Sequence, residues 1–172
     1  MVILIDENDL QIGTMSKLEA HEKALLHRAF SVFIFNSKGE VLMQQRANDK
    51  YHSAGLWTNT CCSHPFPGEE TIAAANRRLS EEMGMTTDLK FIFKFKYKAQ
   101  FDNELTEHEI DHVFVGQTDE LPTINHSEVA SYKYMKIDEI QQDMSSHPER
   151  YTVWFQIIFA EFIHELSTHK LF

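Results

Sequence analysis

The segment Glu69-Glu70-Thr71-Ile72-Ala73-Ala74-Ala75-Asn76-Arg77-Arg78-Leu79-Ser80-Glu81-Glu82-Met83-Gly84 is the clearest helix in the chain. Ala, Glu, Arg and Leu are strong helix formers. Ile72, Leu79 and Met83 fall on one face, and Gly84 supplies a stop. Arg78 and Glu82 are four apart and so share a face. Upstream, residues 47–55 read as a polar loop, and residues 56–62 as extended because of their Trp and Thr content. Further back, residues 29–35 alternate as a strand, residues 36–39 make a turn, and residues 40–45 return, a pattern predicting a β-hairpin. Residues 15–26 read as a helix capped by Ser16, and residues 2–5 as a short edge strand. Downstream, residues 89–99 alternate Phe91, Phe93, Phe95 and Tyr97 against Ile92, Lys94, Lys96 and Lys98, a strand with one aromatic and one basic face. Strands over 110–116 and 131–137, a short helix over 138–144 and an amphipathic helix over 151–166 complete the reading. Strands come in hairpins and helices are not regularly interleaved. The fold class expected is α+β, one domain over residues 1–172 with a mixed sheet flanked by helices.

With 172 residues, 42% of them hydrophobic and 24% charged, the chain has material for one core. A formal charge of −10 disfavours non-specific attraction to nucleic acid or an anionic membrane. Any anionic ligand must therefore be gripped by a local basic cluster. Two adjacent cysteines, Cys61 and Cys62, give no disulfide framework, so a reducing, cytoplasmic setting is expected. No run approaches the roughly 18 apolar residues of a membrane span, and the first residues lack a basic region.

Several constellations carry chemistry. Glu107 and Glu109 are two apart at the start of a strand, so both carboxylates point to one face, with Asp111 further along it. His108 and His112 take the other face and are expected at the surface. Cys62 and His64 are also two apart in an extended segment and would face one cavity, which leaves Cys61 on the opposite side as a small buried apolar group. His21, His27 and His64 with two carboxylates form a mixed N/O donor set. Such a set suits five- or six-coordinate Mn²⁺, Mg²⁺ or Zn²⁺ better than a closed thiolate zinc site.

Ser63, Glu69, Arg77, Arg78, Leu79, Glu81, Glu82, Gly84 and Met85, over residues 63–85, resemble the Nudix box. The leading Gly is replaced by Ser63, and the Glu that follows Arg is replaced by Arg78. A full acidic box would point to diphosphate hydrolysis, the alternative reading, and Arg78 argues against it. The run from Trp57 to Pro65, together with Leu26–Ser31, Gln44-Gln45-Arg46 and Glu107–Asp111, is similar to the type 1 isopentenyl diphosphate isomerases from about Met15 to Trp154.

That resemblance implies a Nudix-like α/β/α sandwich and the interconversion of isopentenyl and dimethylallyl diphosphates. It implies Cys62, Glu109 and Tyr97 as catalytic residues, and His21, His27, His64, Glu107 and Glu109 as ligands of Mn²⁺ or Mg²⁺, or of Zn²⁺. A cation near Cys62 would favour its thiolate. A second Mg²⁺, accompanying the substrate diphosphate, would sit on Glu82. Lys17, Arg46, Lys50 and Arg78 would hold the diphosphate. Trp154 would line the hydrocarbon pocket, with Trp57 a weaker candidate for facing a carbocation. Lys94, Lys96 and Lys98 are expected to be solvated. The partner expected is a small diphosphate, with the chain a monomer or weak homodimer.

Overall fold

The computed structural model describes residues 1–50, 53–101 and 105–169. Nine strands are hydrogen-bonded into one mixed sheet among the described residues: β1 (Val2–Ile5), β2 (Gln11–Met15), β3 (His27–Phe35), β4 (Glu40–Arg46), β5 (Trp57–Thr58), β6 (Cys61–Ser63), β7 (Lys90–Gln100), β8 (Thr106–Gln117) and β9 (Val129–Lys136). The helices are α1 (Lys17–Glu22), α2 (Thr71–Met83), α3 (Ile137–Ser146) and α4 (Val153–His169). None of the described helices is long and apolar enough to cross a membrane.

Period-two alternation sorts the core into two layers. Phe30, Val32 and Ile34 of β3 join Ala74, Ala75, Leu79 and Met83 of α2 on one face of the sheet. Phe33 and Phe35 join Trp154, Phe155, Ile158, Phe159 and Phe162 of α4 on the other. Helices therefore cover both faces, as expected. The α2 stripe differs in one place, because Ile72 is exposed and the two alanines take the contact with β3.

Residues 29–46 do not form the predicted hairpin. The Asn36–Gly39 turn is present, with Gly39 at φ 72°, but β3 and β4 pair only at Phe35↔Val41. β8 runs parallel to β3 along its whole length, from His27↔Glu109 to Phe35↔Gln117. The remaining edge of β3 is shared in turn by β1 at His27, β6 at Phe30–Val32 and β4 at Phe35. β4 pairs instead with β9 and β5. Splaying β3 from β4 admits β6, the strand that carries Cys62, into the middle of the sheet.

Near the N-terminus, the helix predicted over 15–26 covers only Lys17–Glu22, capped by the Ser16 hydroxyl accepting from the Glu19 amide. The residues before it form β2, the outer partner of β1, so β1 is not the edge. In β7 the pairing slips between Phe91 and Phe93, which moves Phe91 off the aromatic face to lie against His112 and Phe114.

Candidate active site

Parity on three strands builds the site. His27 begins β3 on the α4 face, Glu107, Glu109 and Asp111 take the same face of β8, and Cys62 with His64 does so from β6. Helix α1 adds His21 and Lys17. Cys61 points the other way into the α2 layer, fully buried. The two adjacent cysteines thus have the separate environments that an extended backbone dictates.

One ligand atom from each of His21, His27, His64 and Glu109 lies within 4.8 Å of the others. Glu109 Oε1 is the hub, 3.1 Å from His27 Nε2, 3.0 Å from His64 Nε2 and 4.0 Å from His21 Nε2. His27 Nδ1 donates to the Leu25 carbonyl at 2.8 Å, which leaves Nε2 to face the cluster as a lone-pair donor. Burial, with Lys17 nearby, brings the His21 ring down to about 3. Burial likewise brings His64 down to about 4 despite Glu109. Both rings are neutral at physiological pH, the form a metal requires. Burial alone would raise the Glu109 carboxyl, but the His27 and His64 rings outweigh it and hold the group well below the usual carboxylate range. Three imidazoles and one ionised carboxylate converging on a single point fit a divalent ion.

Glu107 stands one strand step away, outside that group of four. Tyr97 Oη lies 2.6 Å from Glu109 Oε2 and 3.0 Å from Glu107 Oε2. One hydroxyl hydrogen cannot serve both, and the shorter contact to the ionised Glu109 takes it. Burial and the neighbouring Glu109 charge push Glu107 upward, toward its protonated form. The result is a buried chain, Glu107–Tyr97–Glu109, ending on the carboxylate that touches the histidines.

A narrow cavity of about 40 Å³ opens beside this chain. Cys62, Tyr97, Glu107 and Glu109 line it together, with Trp154, Lys17, Arg46, His64 and Asp111 around them. Burial pushes the Cys62 thiol up to about 12, so the surrounding protein by itself favours the protonated thiol. The Arg46 guanidinium lies 5.0 Å from the centre of the Trp154 ring. The Trp154 indole Nε1–H donates to Thr58 Oγ1 at 3.1 Å, which fixes the plane of the ring. Trp57 lies under Lys133 Nζ at 4.2 Å and does not line the cavity.

Other expected site residues lie elsewhere. Glu82 Oε1 takes Arg78 Nη2 at 2.5 Å and its Oε2 takes Gln44 Nε2 at 2.7 Å, so its carboxylate is already engaged. Arg78 and Lys50 also meet on Glu128, at 3.1 and 2.5 Å, and neither lines the cavity. On the opposite face, Lys94, Lys96 and Lys98 are exposed, as expected; Lys94 also pairs with Asp9 and Lys96 with Glu7, His112 Nε2 lies 2.8 Å from Asp9 Oδ2, and His108 Nδ1 donates to the Ala24 carbonyl.

Two groups at the site are given no role by the sequence, Asp111 in the cavity wall and Thr58 behind Trp154. Asp111 is fully lined by protein, with Ser31 Oγ donating to its Oδ2 at 2.8 Å and no hydrogen-bond partner for Oδ1 among the described residues. Burial and the Glu109 charge push it up to about 8. Its parity with Glu109 was the available signal. Thr58, which aims Trp154, carried only the extended character of its segment.

A NUDIX domain model matches residues 25–155. The isopentenyl-diphosphate Delta-isomerase of Pectobacterium atrosepticum is 58% identical over 92% of this chain and 89% of its own length. The enzyme of the same name from Serratia proteamaculans is 48% identical over 94% of this chain and 90% of its own. Among solved structures, the MutT protein of Methanosarcina mazei superposes with a TM-score of 0.67 at 21% identity, covering 81% of this chain and 94% of that one, a likeness of fold alone. On the extent of these sequence matches, the chain belongs to the isopentenyl-diphosphate Delta-isomerase family and is built on a NUDIX domain.

Proposed function

We propose that this chain interconverts isopentenyl and dimethylallyl diphosphates by a 1,3-allylic proton shift, with Cys62 on one wall of the cavity and the Glu109–Tyr97 pair on the other. The observation that carries this reading is that a thiol and a carboxylate hydrogen-bonded to a tyrosine line the same narrow, aromatic-sided space. An unactivated alkene needs a proton delivered to its terminal CH₂, and the tertiary cation so formed must lose a proton from the carbon on its other side. Two groups on opposite walls meet that requirement, and they exchange roles with the direction of reaction. Trp154 offers its ring face to the cation, an attraction of roughly 0.5–2 kcal/mol when desolvated. Burial of the lining excludes the water that would trap the cation as an alcohol.

His21, His27, His64 and Glu109 would hold the metal, with Mn²⁺ or Mg²⁺ as the reading favoured and Zn²⁺ the third candidate. The ion supplies fixed charge that orients Glu109 and sets its affinity for a proton. Glu107 keeps the Tyr97 hydroxyl aimed at Glu109. Lys17 and Arg46, both at the cavity, would grip the diphosphate, whose binding energy positions the alkene without any phosphate bond breaking. Lys50 and Arg78 would join them only by leaving Glu128, and a diphosphate-borne Mg²⁺ would need Arg78 to leave Glu82. Two free cysteines support a reducing, cytoplasmic setting, and we take the working form to be a monomer or weak homodimer.

The decisive experiment incubates the chain with isopentenyl diphosphate and Mn²⁺ or Mg²⁺ in D₂O. Dimethylallyl diphosphate carrying deuterium is expected; inorganic phosphate without isomer would replace this reading with a hydrolase. Cys62→Ala and Glu109→Gln should each lower turnover by about 10²–10⁴ or more, the usual contribution of a positioned acid or base, with circular dichroism unchanged. Full turnover in either variant would remove that residue from the chemistry.

A further inference from the structure

On the face of the sheet away from the cavity, one carboxylate gathers donors from three strands. Asp9 sits in the turn joining β1 and β2, with φ of 65°. Its Oδ1 accepts from Arg28 Nε of β3 at 2.7 Å. Its Oδ2 accepts from Lys94 Nζ of β7 at 2.9 Å and lies 2.8 Å from His112 Nε2 of β8. Its carbonyl accepts from Arg28 Nη2 at 2.5 Å. The Asp9 side chain is 7% exposed, and its Arg28 and His112 partners are largely buried at 19% and 15%, while Lys94 closes the group from the rim at 45%. Glu7, paired with Lys96 at 2.6 Å, extends the same attachment toward solvent.

Apart from Asp9, the hairpin is held through β1, whose Val2, Ile3 and Ile5 are buried. Leu4 pairs with His27, the Ile5 amide donates to the Leu26 carbonyl, and Ile3 and Ile5 pack on Ile110 and Leu26. β2 itself is largely exposed. A two-stranded ribbon of this kind is marginal in water without further support. β2 then passes through Ser16 directly into α1, which delivers Lys17 to the cavity and His21 to the cluster with His27, His64 and Glu109. The far end of α1 is tied back through Ala24, whose carbonyl takes His108 Nδ1 at 3.0 Å. The position of His21 thus depends on a hairpin secured from the opposite side of the sheet.

We propose that Asp9 is a positioning residue for the metal cluster: by clasping the β1–β2 turn to β3, β7 and β8 it holds α1 where His21 completes the set made by His27, His64 and Glu109. This rests on the reading of that cluster as a metal site. The clasp acts through geometry alone, since Asp9 touches none of the four ligands.

The test is the dissociation constant for Mn²⁺ of the full chain, by electron paramagnetic resonance or calorimetry, in Asp9→Asn. Asn tolerates the left-handed turn and keeps the size while removing the charge. Loss of a supporting partner typically weakens metal affinity by about 10–100-fold, and a rise of about tenfold is expected here. Hydrogen exchange should speed up in residues 11–22 while α2 and β8 stay protected, and saturating Mn²⁺ should restore that protection. An unchanged dissociation constant would overturn the proposal even if the hairpin loosens, because the clasp would then serve stability only. Should Asp9→Asn fail to fold, Lys94→Met and His112→Leu each remove one contact; smaller increases are expected, and no increase in either overturns it. His64→Ala separates the two failures. If it binds Mn²⁺ as well as the unaltered chain does, or if the unaltered chain binds none, the metal reading itself is wrong and the clasp falls with it.

Discussion

Thr58 has one oxygen and three polar neighbours, and each of them is satisfied. Its Oγ1 accepts from Trp154 Nε1 at 3.1 Å and from the Thr152 hydroxyl at 3.2 Å, and donates to Asn59 Oδ1 at 2.9 Å. Asn59 passes the link on to the Val32 and Cys61 carbonyls. The indole plane is therefore set by a hydroxyl that is itself tied to β3. Thr58→Val keeps the shape but leaves the buried indole N–H without this acceptor. Stranding a buried donor costs about 1–3 kcal/mol, so urea unfolding should report a loss in that range. A loss below about 0.5 kcal/mol, the usual scatter of neutral substitutions, would show that another group takes over the bond. Single residues of this kind differ in how visible they are in sequence. The two-residue spacings of Cys62 with His64 and of Glu107 with Glu109 announce a shared face, and the structure has them so. Asp9 and Thr58 announce nothing, because Arg28 and His112 lie 19 and 103 positions from Asp9, Trp154 lies 96 from Thr58, and no periodicity connects them. Glu82 and Arg78 were correctly read as neighbours on a helix, but spacing alone cannot tell a metal ligand from half of an ion pair.

At the scale of elements, α2 shows how local chemistry ends a helix. Gly84 takes φ 63°, its amide donates to the Ser80 carbonyl, and a Cβ at this position would stand 2.6 Å from the Thr123 carbonyl oxygen. Gly39 takes a similar φ of 72° with nothing within 4 Å of its would-be Cβ. The pair separates two effects. Gly39→Ala meets only the left-handed backbone penalty, about 1–2 kcal/mol. Gly84→Ala meets that penalty and a collision with main chain that cannot step aside, so its loss should exceed that of Gly39→Ala by about 1 kcal/mol or more. Equal losses in thermal or urea unfolding would mean that the 120s loop yields easily. The glycine stop was legible because it is a local signal. Strand pairing was not. The alternation of β3 and β4 with a turn between them specifies two strands, and says nothing about a strand 80 residues later that takes a whole edge of β3. Nor does it reveal that β6 enters between them, which is what delivers Cys62 to the cavity.

Over the whole molecule, the candidate metal cluster draws on α1, β3, the residue that follows β6, and β8, over residues 21 to 109. No stretch of unfolded chain brings these ligands together, so an ion that binds them favours the folded state by mass action. At a free concentration one hundred times its dissociation constant, that linkage amounts to about 2.7 kcal/mol. For a domain of this size each kcal/mol moves the melting temperature by roughly 2–4 °C, so Mn²⁺ should raise it by about 5–10 °C over a chelator-treated sample. The surface also carries a formal charge of −10 and gathers divalent ions loosely. Two controls separate the sources. Ca²⁺ prefers an all-oxygen shell and should give little of the shift, whereas Mn²⁺ and Zn²⁺ accept imidazole. His64→Ala removes a ligand 3.0 Å from the hub carboxylate and should abolish the Mn²⁺ shift while leaving any diffuse surface effect intact. If Ca²⁺ matches Mn²⁺, or His64→Ala keeps the full rise, the stabilisation comes from the acidic surface. The four converging side chains would then be a buried hydrogen-bonded cluster, with Glu109 oriented by its histidines and Tyr97 alone.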